Sequence, residues 1–415
     1  MPGKTCIAVV SPFLSRRHGT ERCTVEQVER LSRDYGYEVH LFCQRLEDLE
    51  NAEPWSSSAA SPAPGHIFWH RVSAIPGPHL LQFLWWMVAN RFRRWRDARS
   101  GRLRFDVVYS PGINCLDADA VTVHVVFQEL VPGGANGIFK MGFSLRVWLR
   151  RVHRLLYYRL LMNLENEVYK KPHLAIAAVS RKTASEIERH FGRKDVRVIH
   201  NGVDLAVFNP KARLSRRAEA RQRFAFRENE FVVLLIGNDW NSKGLPALLQ
   251  AAAACAALPL QLLVVGEDDR AAFREALKRL ALASRVRFEA PAADVMQFYA
   301  AADLYASPSL HDSFALPVAE AMACALPVVT SAQAGISELL HDGVDSFVLR
   351  NPRDAGELAR LLRRLYEDSG LRQTLGENAA RAAQGLTWEK NAALTRDFLE
   401  AAMLARDTRK SSGIL

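Results

Sequence analysis

The stretch Ser307-Pro-Ser-Leu-His-Asp-Ser-Phe-Ala-Leu-Pro-Val-Ala-Glu sets two carboxylates, Asp312 and Glu320, eight residues apart around a helix start. A strand ends near Ser307, a loop carries Asp312, and Pro317 stands in the first turn, where its missing N–H costs nothing. The backbone around Leu316, Pro317, Val318 and Ala319 then faces out of the helix N-terminus, and the helix dipole favours an anion there. A carboxylate beside such an anion site is poorly placed for phosphate. It suits the hydroxyls of a ribose or a hexose, so the stretch fits a phosphorylated polyol.

Other residues offer complementary chemistry. Gly237-Asn-Asp-Trp-Asn-Ser-Lys-Gly-Leu follows the strand-like run Phe231–Ile236 and precedes a helix, bringing Lys243 to a helix start as a point charge. It is not a Walker A loop, because Gly244 follows the lysine and no glycine stands at the required place before it. His18-Gly-Thr-Glu-Arg lies between the first strand and the first helix, and Gly19 permits close backbone approach. Asn201-Gly202 reads as a turn. His124 ends the run Ala120-Val-Thr-Val-His.

These residues need a scaffold. Short β-branched runs alternate with amphipathic helical segments along 415 residues, an α/β pattern of parallel sheets covered on both faces. The pattern occurs twice. The expected domains are 1–208 and 209–387, with 388–415 a helix and tail packing back toward the first, a division near Asn209-Pro210, and a charged connector at Arg213–Arg227. Trp55 to Gly65 reads as an exposed loop.

Composition narrows the class. With 49% hydrophobic and 24% charged residues, the chain is neither disordered nor fibrous. The six cysteines have no C-x-x-C or zinc-type spacing, which fits a reduced, cytoplasmic chain. Thr5 to Leu14 is apolar but runs into Arg16 and Arg17 without a small-x-small cleavage site, so it reads as a buried first strand. The net charge is +10, with 29 Lys and Arg against 20 Asp and Glu over residues 1–208, and 26 against 25 thereafter. The excess concentrates at Arg91–Arg104 and Lys140–Lys171, interleaved with Trp85, Trp86, Trp95 and Trp148.

Taken together, Ser307–Val329, the Lys243 loop, Val179-Ser-Arg-Lys-Thr with Val196-Arg-Val-Ile-His-Asn-Gly-Val-Asp, and the Gly19 loop occur in an order that resembles the retaining, GT-B-fold family-4 glycosyltransferases. The wording Gly-x-Asp-aromatic-x-x-Lys-Gly is similar to the lipopolysaccharide-core glucosyltransferase I group. The resemblance implies two doubly wound Rossmann-like domains facing a cleft, the first binding acceptor and the second a nucleotide sugar. It implies that Lys243, Gly237, Gly19, Thr20, Leu316, Pro317 and Val318 serve the donor diphosphate, that Glu320 holds the ribose, and that Asp312 and His124 meet the sugar. Glu21 or Arg22 then contacts the acceptor. The chain departs from the family pattern at Asp312, usually a glutamate, at Ser313 and Ala315, usually glycines, and at Ser242, an arginine in the glucosyltransferase-like sequences.

The implied chemistry is retaining transfer of a glucose-type hexose from a UDP-sugar, with a GDP-sugar next. The departing diphosphate oxygen acts as base, and there is no cofactor, metal or protein nucleophile. Asp117-Ala-Asp119 has the D-x-D form that holds Mn²⁺ in transferases of another fold, but its setting after Gly112-Ile-Asn-Cys-Leu favours a solvated or acceptor-side loop. The basic N-terminal half favours an anionic glycan or lipid-linked acceptor met at the inner face of the cytoplasmic membrane, in envelope or exopolysaccharide synthesis. A basic nucleic-acid-binding protein lacks any recognition motif here, so no nucleic acid is expected. A non-catalytic sugar-nucleotide-binding relative is the alternative.

Overall fold

The computed structural model describes residues 5–16, 19–49, 51–55, 65–99, 103–130 and 145–411, with the side chains of 145–151, 410 and 411 set aside. The expectations placed on His18, on residues 56–64, and on Arg102, Lys140, Arg146, Trp148, Arg150 and Arg151 lie outside the described residues. Two compact units result: Met1–Ile199 with Asn391–Leu415, and His200–Lys390.

The first unit carries β1 (Cys6–Val10), β2 (Phe13–Leu14), β3 (Glu38–Cys43), β4 (Arg45–Leu46), β5 (Ala52–Pro54), β6 (Ile67–Arg71), β7 (Val107–Pro111), β8 (Ala120–Val123), β9 (Ala175–Ala178) and β10 (Val196–Val198). Apart from the small β2–β4 pair, they form one parallel sheet in the order β10-β9-β8-β7-β1-β3-β6-β5. Chain order reverses between β1 and β7. Ile7 and Val9 of β1 pack toward Val25, Val28 and Leu31 of the helix Gly19–Tyr35 and toward Phe398 and Leu399 of the C-terminal helix Trp388–Ser411. Ala8 and Val10 pack on the opposite face, toward Trp86, Val168 and Ile187. Both faces of the strand are therefore covered, which is why its sequence is continuously apolar instead of alternating.

The C-terminal helix is tied into this first unit by polar contacts as well. Gln27 Nε2 donates to Asn391 Oδ1 at 3.0 Å, Tyr37 Oη to Glu400 Oε1 at 3.2 Å, and Arg406 Nη1 to Asp119 Oδ2 at 2.8 Å.

The second unit holds β11 (Phe231–Ile236), β12 (Leu260–Val265), β13 (Val286–Glu289), β14 (Leu304–Ser307), β15 (Val328–Ser331) and β16 (Phe347–Leu349) in one parallel sheet, order β13-β12-β11-β14-β15-β16. The reversal falls between β11 and β14. The run Phe231–Ile236 forms β11 as read, and a strand does end at Ser307. Val233 and Leu235 pack against Leu248 and Leu249 of the helix Leu245–Ala254 and Leu358 and Leu362 of the helix Ala355–Glu367.

Three readings need correction. Asn209-Pro210 does not separate the units: Asn209 Oδ1 accepts the Ala212 N–H at 2.8 Å and so caps a helix, Pro210–Ser215, inside the second unit. The charged connector is not a loose linker either. Arg213, Arg217 and Arg221, four residues apart, lie over residues Ala301 to Asp303, and Arg221 is buried against Ala301 O, Asp303 Oδ2, Arg227 O and Glu230 O. Gly202 lies outside the left-handed region. A Cβ there would stand 2.4 Å from Trp388 N, so the glycine serves close approach to Thr387-Trp388.

Candidate active site

In an open α/β sheet the crevice at the carboxyl ends of the strands, where chain order reverses, is the place for a ligand. In the second unit that place lies between β11 and β14, and the loops leaving these two strands carry Lys243 and Asp312. Local geometry fixes both. Gly237 follows β11 with φ 148°, and Lys243 folds over it: a Cβ on Gly237 would lie 2.8 Å from Lys243 Cε. Asp239 O accepts the Lys243 N–H at 3.0 Å. Gly244 follows with φ 84°, and a Cβ there would come within 2.0 Å of Pro308 O. The two loops are knit by Leu310 N–H donating to Ser242 O at 2.7 Å and by Ser242 Oγ donating to His311 O at 3.3 Å. Ser242 thus joins the backbones of the two loops.

Lys243 Nζ stands 2.5 Å from Asp312 Oδ2, while Asp312 Oδ1 accepts the Phe314 N–H at 3.3 Å. The shorter carboxylate is therefore placed as the counter-ion of the lysine. The helix Leu316–Ala323 begins after Ala315, which takes a left-handed backbone (φ 71°). Neither that helix nor Leu245–Ala254 has a side-chain cap at its N-terminus, so two helix heads and one ammonium bracket the switch point.

Glu320 lies deeper, 3% exposed, its Oε2 accepting from Tyr299 Oη at 2.6 Å. Burial, reinforced by the Glu320 charge, raises the Tyr299 phenol well above its ordinary value, so the phenol stays protonated and donates. Leu316, Pro317 and Val318 form the first turn of the helix that carries Glu320.

In the first unit, Gly19, Thr20, Glu21 and Arg22 open the helix that follows β1, on the carboxyl side of the sheet. Arg16, read from sequence only as a block to a signal peptide, pins the preceding loop through Glu26 and Glu29, and Arg30 joins Glu26 at 2.5 Å.

His124 follows β8 and is 7% exposed; its Nε2 has no hydrogen-bond partner among the described residues. Burial pushes its imidazole down to about 4, so the ring is neutral at pH 7. Sequence reasoning missed its support. Glu165, fully buried, accepts the N–H groups of Phe127 at 2.7 Å and Gln128 at 3.2 Å, clamping the segment just beyond His124. The D-x-D carboxylates are engaged elsewhere: Asp117 takes both terminal nitrogens of Arg94, at 2.7 and 2.9 Å, and Asp119 accepts Val108 N–H and Arg406. They do not converge on one point, and the exposed Asp117 is in keeping with a solvated loop, while Asp119 is half-buried.

The family model described as Glycosyltransferase Family 4 matches residues 17–207, and the model described as Glycosyl transferases group 1 matches residues 230–368. A D-inositol 3-phosphate glycosyltransferase of Salinispora arenicola is 38% identical over 211 residues, 47% of each chain. The one of Thermobifida fusca is 31% identical over 222 residues, 50% of each. The chain thus spans about half the length of the curated relatives it matches. Among solved structures, WaaG, a glycosyltransferase involved in lipopolysaccharide biosynthesis, superposes with TM-score 0.72 at 18% identity, covering 95% of this chain and 99% of that one. Anabaena HepE in complex with UDP and glucose gives 0.69 at 21%, covering 96% and 100%. These likenesses carry the fold, GT-B, with two Rossmann-like domains.

Proposed function

The chain belongs to the family-4 glycosyltransferases, the glycosyl transferases group 1, and on that premise we propose that it is a retaining hexosyltransferase. It takes a glucose-type sugar from a nucleotide diphosphate, UDP before GDP, and transfers it without a metal ion or cofactor to a glycan or lipid-linked glycan acceptor of envelope or exopolysaccharide synthesis. The observation that carries this reading is Lys243 between two uncapped helix heads at the β11/β14 reversal. The solved HepE complexes with UDP, and with UDP and glucose, lend support to the donor class.

The difficult step is departure of the diphosphate from the sugar carbon as positive charge develops on the ring. Lys243, with the helix head at Leu316, Pro317 and Val318, stabilises the leaving charge, and Gly237 lets the backbone come close to it; a preorganised ammonium and helix dipole do this without reorganising as the bond breaks. Asp312 holds the lysine in place and offers a carboxylate to a sugar hydroxyl. Glu320, steadied by Tyr299, accepts from the ribose. His124, being neutral, can hydrogen-bond the sugar without opposing the positive charge, and the departing phosphate oxygen takes the acceptor proton. Gly19 and Thr20 serve the diphosphate; Glu21 and Arg22 serve the acceptor.

Support for a membrane-borne acceptor comes from the helix His79–Arg99. It buries Trp86 but exposes Leu81, Leu84, Trp85, Val88 (66%), Phe92 (58%) and Trp95 at helical spacing, beside exposed Arg91, Arg96 and Arg99. Among the described residues no helix is long and apolar enough to cross a membrane.

The test is a thermal-shift panel followed by turnover. A UDP-sugar at 100 times its Kd stabilises by about 2.7 kcal/mol, and UDP release should then require acceptor. The absence of a shift with every UDP- and GDP-sugar overturns the reading. The Asp312 and Ser242 departures favour a non-catalytic relative as second reading, which binding without UDP release would select.

A further inference from the structure

At the amino ends of β1 and β3, opposite the Gly19 and His124 end of the same sheet, Cys6, Glu38 and His40 come together: their donor atoms lie within 4.8 Å of one another. Cys6 and Glu38 are register partners on adjacent parallel strands, and His40 shares Glu38's face of β3. His40 is fully buried, Glu38 nearly so, and Cys6 partly exposed, which leaves a path from solvent. The strand start is held by Asp106 Oδ2, which accepts the Cys6 N–H at 2.7 Å.

The hydrogen bonds around this cluster fix where its protons are. Asp97 is paired with Arg93 at 2.8 Å and accepts from His70 Nδ1 at 2.6 Å. With its proton on Nδ1, a neutral His70 presents a bare Nε2, which stands 2.8 Å from His40 Nδ1 and so must accept a proton from it. His40 Nε2 therefore projects its lone pair toward Glu38 Oε1, 2.6 Å away. A neutral ring and an ionised carboxylate would face each other there lone pair to lone pair. The contact needs one added proton, or a cation in its place.

We propose that Cys6 Sγ, Glu38 Oε1 and His40 Nε2 bind a divalent zinc-type ion, with a water in the fourth position. The donor set suits Zn²⁺, and a histidine ligand backed through its other nitrogen by His70 and Asp97 is the outer-shell arrangement that orients metal-bound imidazoles. Zinc-bound donors stand about 3.3–3.6 Å apart at the tetrahedral angle, so the His40–Glu38 contact opens by less than about 1 Å. The exchange balances: the ion displaces the thiol proton of Cys6 and the proton between His40 and Glu38, two protons leave, one dication enters, and the buried charge is unchanged. That balance avoids the cost of placing net charge in a core. The ion staples β1 to β3 away from the proposed transfer chemistry.

The chelator-stripped full chain, titrated with Zn²⁺ and with Co²⁺ in dilute buffer near pH 7, tests this. One equivalent should bind with release of about two protons, and the Co²⁺ form should show a thiolate charge-transfer band. Cys6→Ser should abolish the band. Glu38→Gln, a near-isosteric change that keeps the packing if the serine variant fails to fold, should bind more weakly and release about one proton. Asp97→Asn should weaken binding about 10- to 100-fold. Substoichiometric binding, a band surviving in Cys6→Ser, or unchanged affinity in Glu38→Gln overturns the proposal.

Discussion

Gly244 and Ala315 occupy equivalent places in the second unit. Each takes a left-handed backbone, φ 84° and 71°, each is followed by Leu-Pro, and each heads a helix leaving one of the two strands that flank the chain reversal. The shared conformation keeps both helix heads turned outward without a side-chain cap. Only the available space differs.

That difference predicts opposite tolerance. Ala315→Gly relieves about 1–2 kcal/mol of left-handed strain but adds unfolded-state entropy worth about 0.5–1 kcal/mol and loses a buried methyl worth about 0.8 kcal/mol. Its net effect should stay within about 1 kcal/mol. Gly244→Ala meets the same strain and in addition drives a Cβ to 2.0 Å from Pro308 O. It should cost about 3 kcal/mol or more, read as a loss of thermal stability and of donor binding together. Equal effects of the two changes would contradict the assignment.

Lys243 and Asp312 should act as a unit. Lys243→Ala removes the charge proposed to stabilise the departing diphosphate and should lower kcat/KM about 100- to 1,000-fold. Asp312→Asn keeps an oxygen for Phe314 N–H but releases the lysine, and its loss should be smaller. In the double variant the losses should be sub-additive by more than about 1 kcal/mol, measured as kcat/KM with a UDP-sugar. Simple additivity would mean that the 2.5 Å contact plays no part in turnover.

Much of this arrangement was legible because buried parallel strands write themselves as unbroken apolar runs. Phe231–Ile236 could be little else, and the spacing from Asp312 to Glu320 carries over a strand end, a loop and a helix start in one local stretch. What escaped depends on partners far apart in sequence. Glu165 reaches Phe127 from a separate helix, and His40 meets His70 across β3 and β6. Neither leaves a local pattern. Arg213, Arg217 and Arg221 did leave one, a period of four, but their charge read as a connector where the structure uses guanidinium groups to satisfy carbonyls.

The exposed stripe on the helix His79–Arg99 should partition onto anionic vesicles. Val88→Asp with Phe92→Asp should abolish co-sedimentation while leaving the fold unchanged, because both side chains already face out. Removing Arg96 should weaken binding about 5-fold at low salt, given roughly 1 kcal/mol per basic residue near such a surface. Undiminished sedimentation of the double aspartate variant would exclude this face as the contact.

His124 and Glu165 should give opposite pH signatures. Burial lowers the His124 imidazole to about 4, below its unfolded value of about 6.5. The unfolded chain therefore binds the extra proton first, and the contribution of His124 to stability, complete above about pH 6.5, is lost as pH falls toward 4. Burial raises the Glu165 carboxyl to about 7, against the pull of the Phe127 and Gln128 N–H groups. Its contribution is complete below about pH 4.3 and lost as pH rises through 7. Denaturant unfolding of the full chain at pH 5 and pH 8 reads both. Relative to the parent, His124→Gln should be more destabilising at pH 8 by about 2 kcal/mol, and Glu165→Gln more destabilising at pH 5 by about 3 kcal/mol, at 1.36 kcal/mol per unit. If both differences carried the same sign, a cause other than burial would be setting the proton on at least one of these groups.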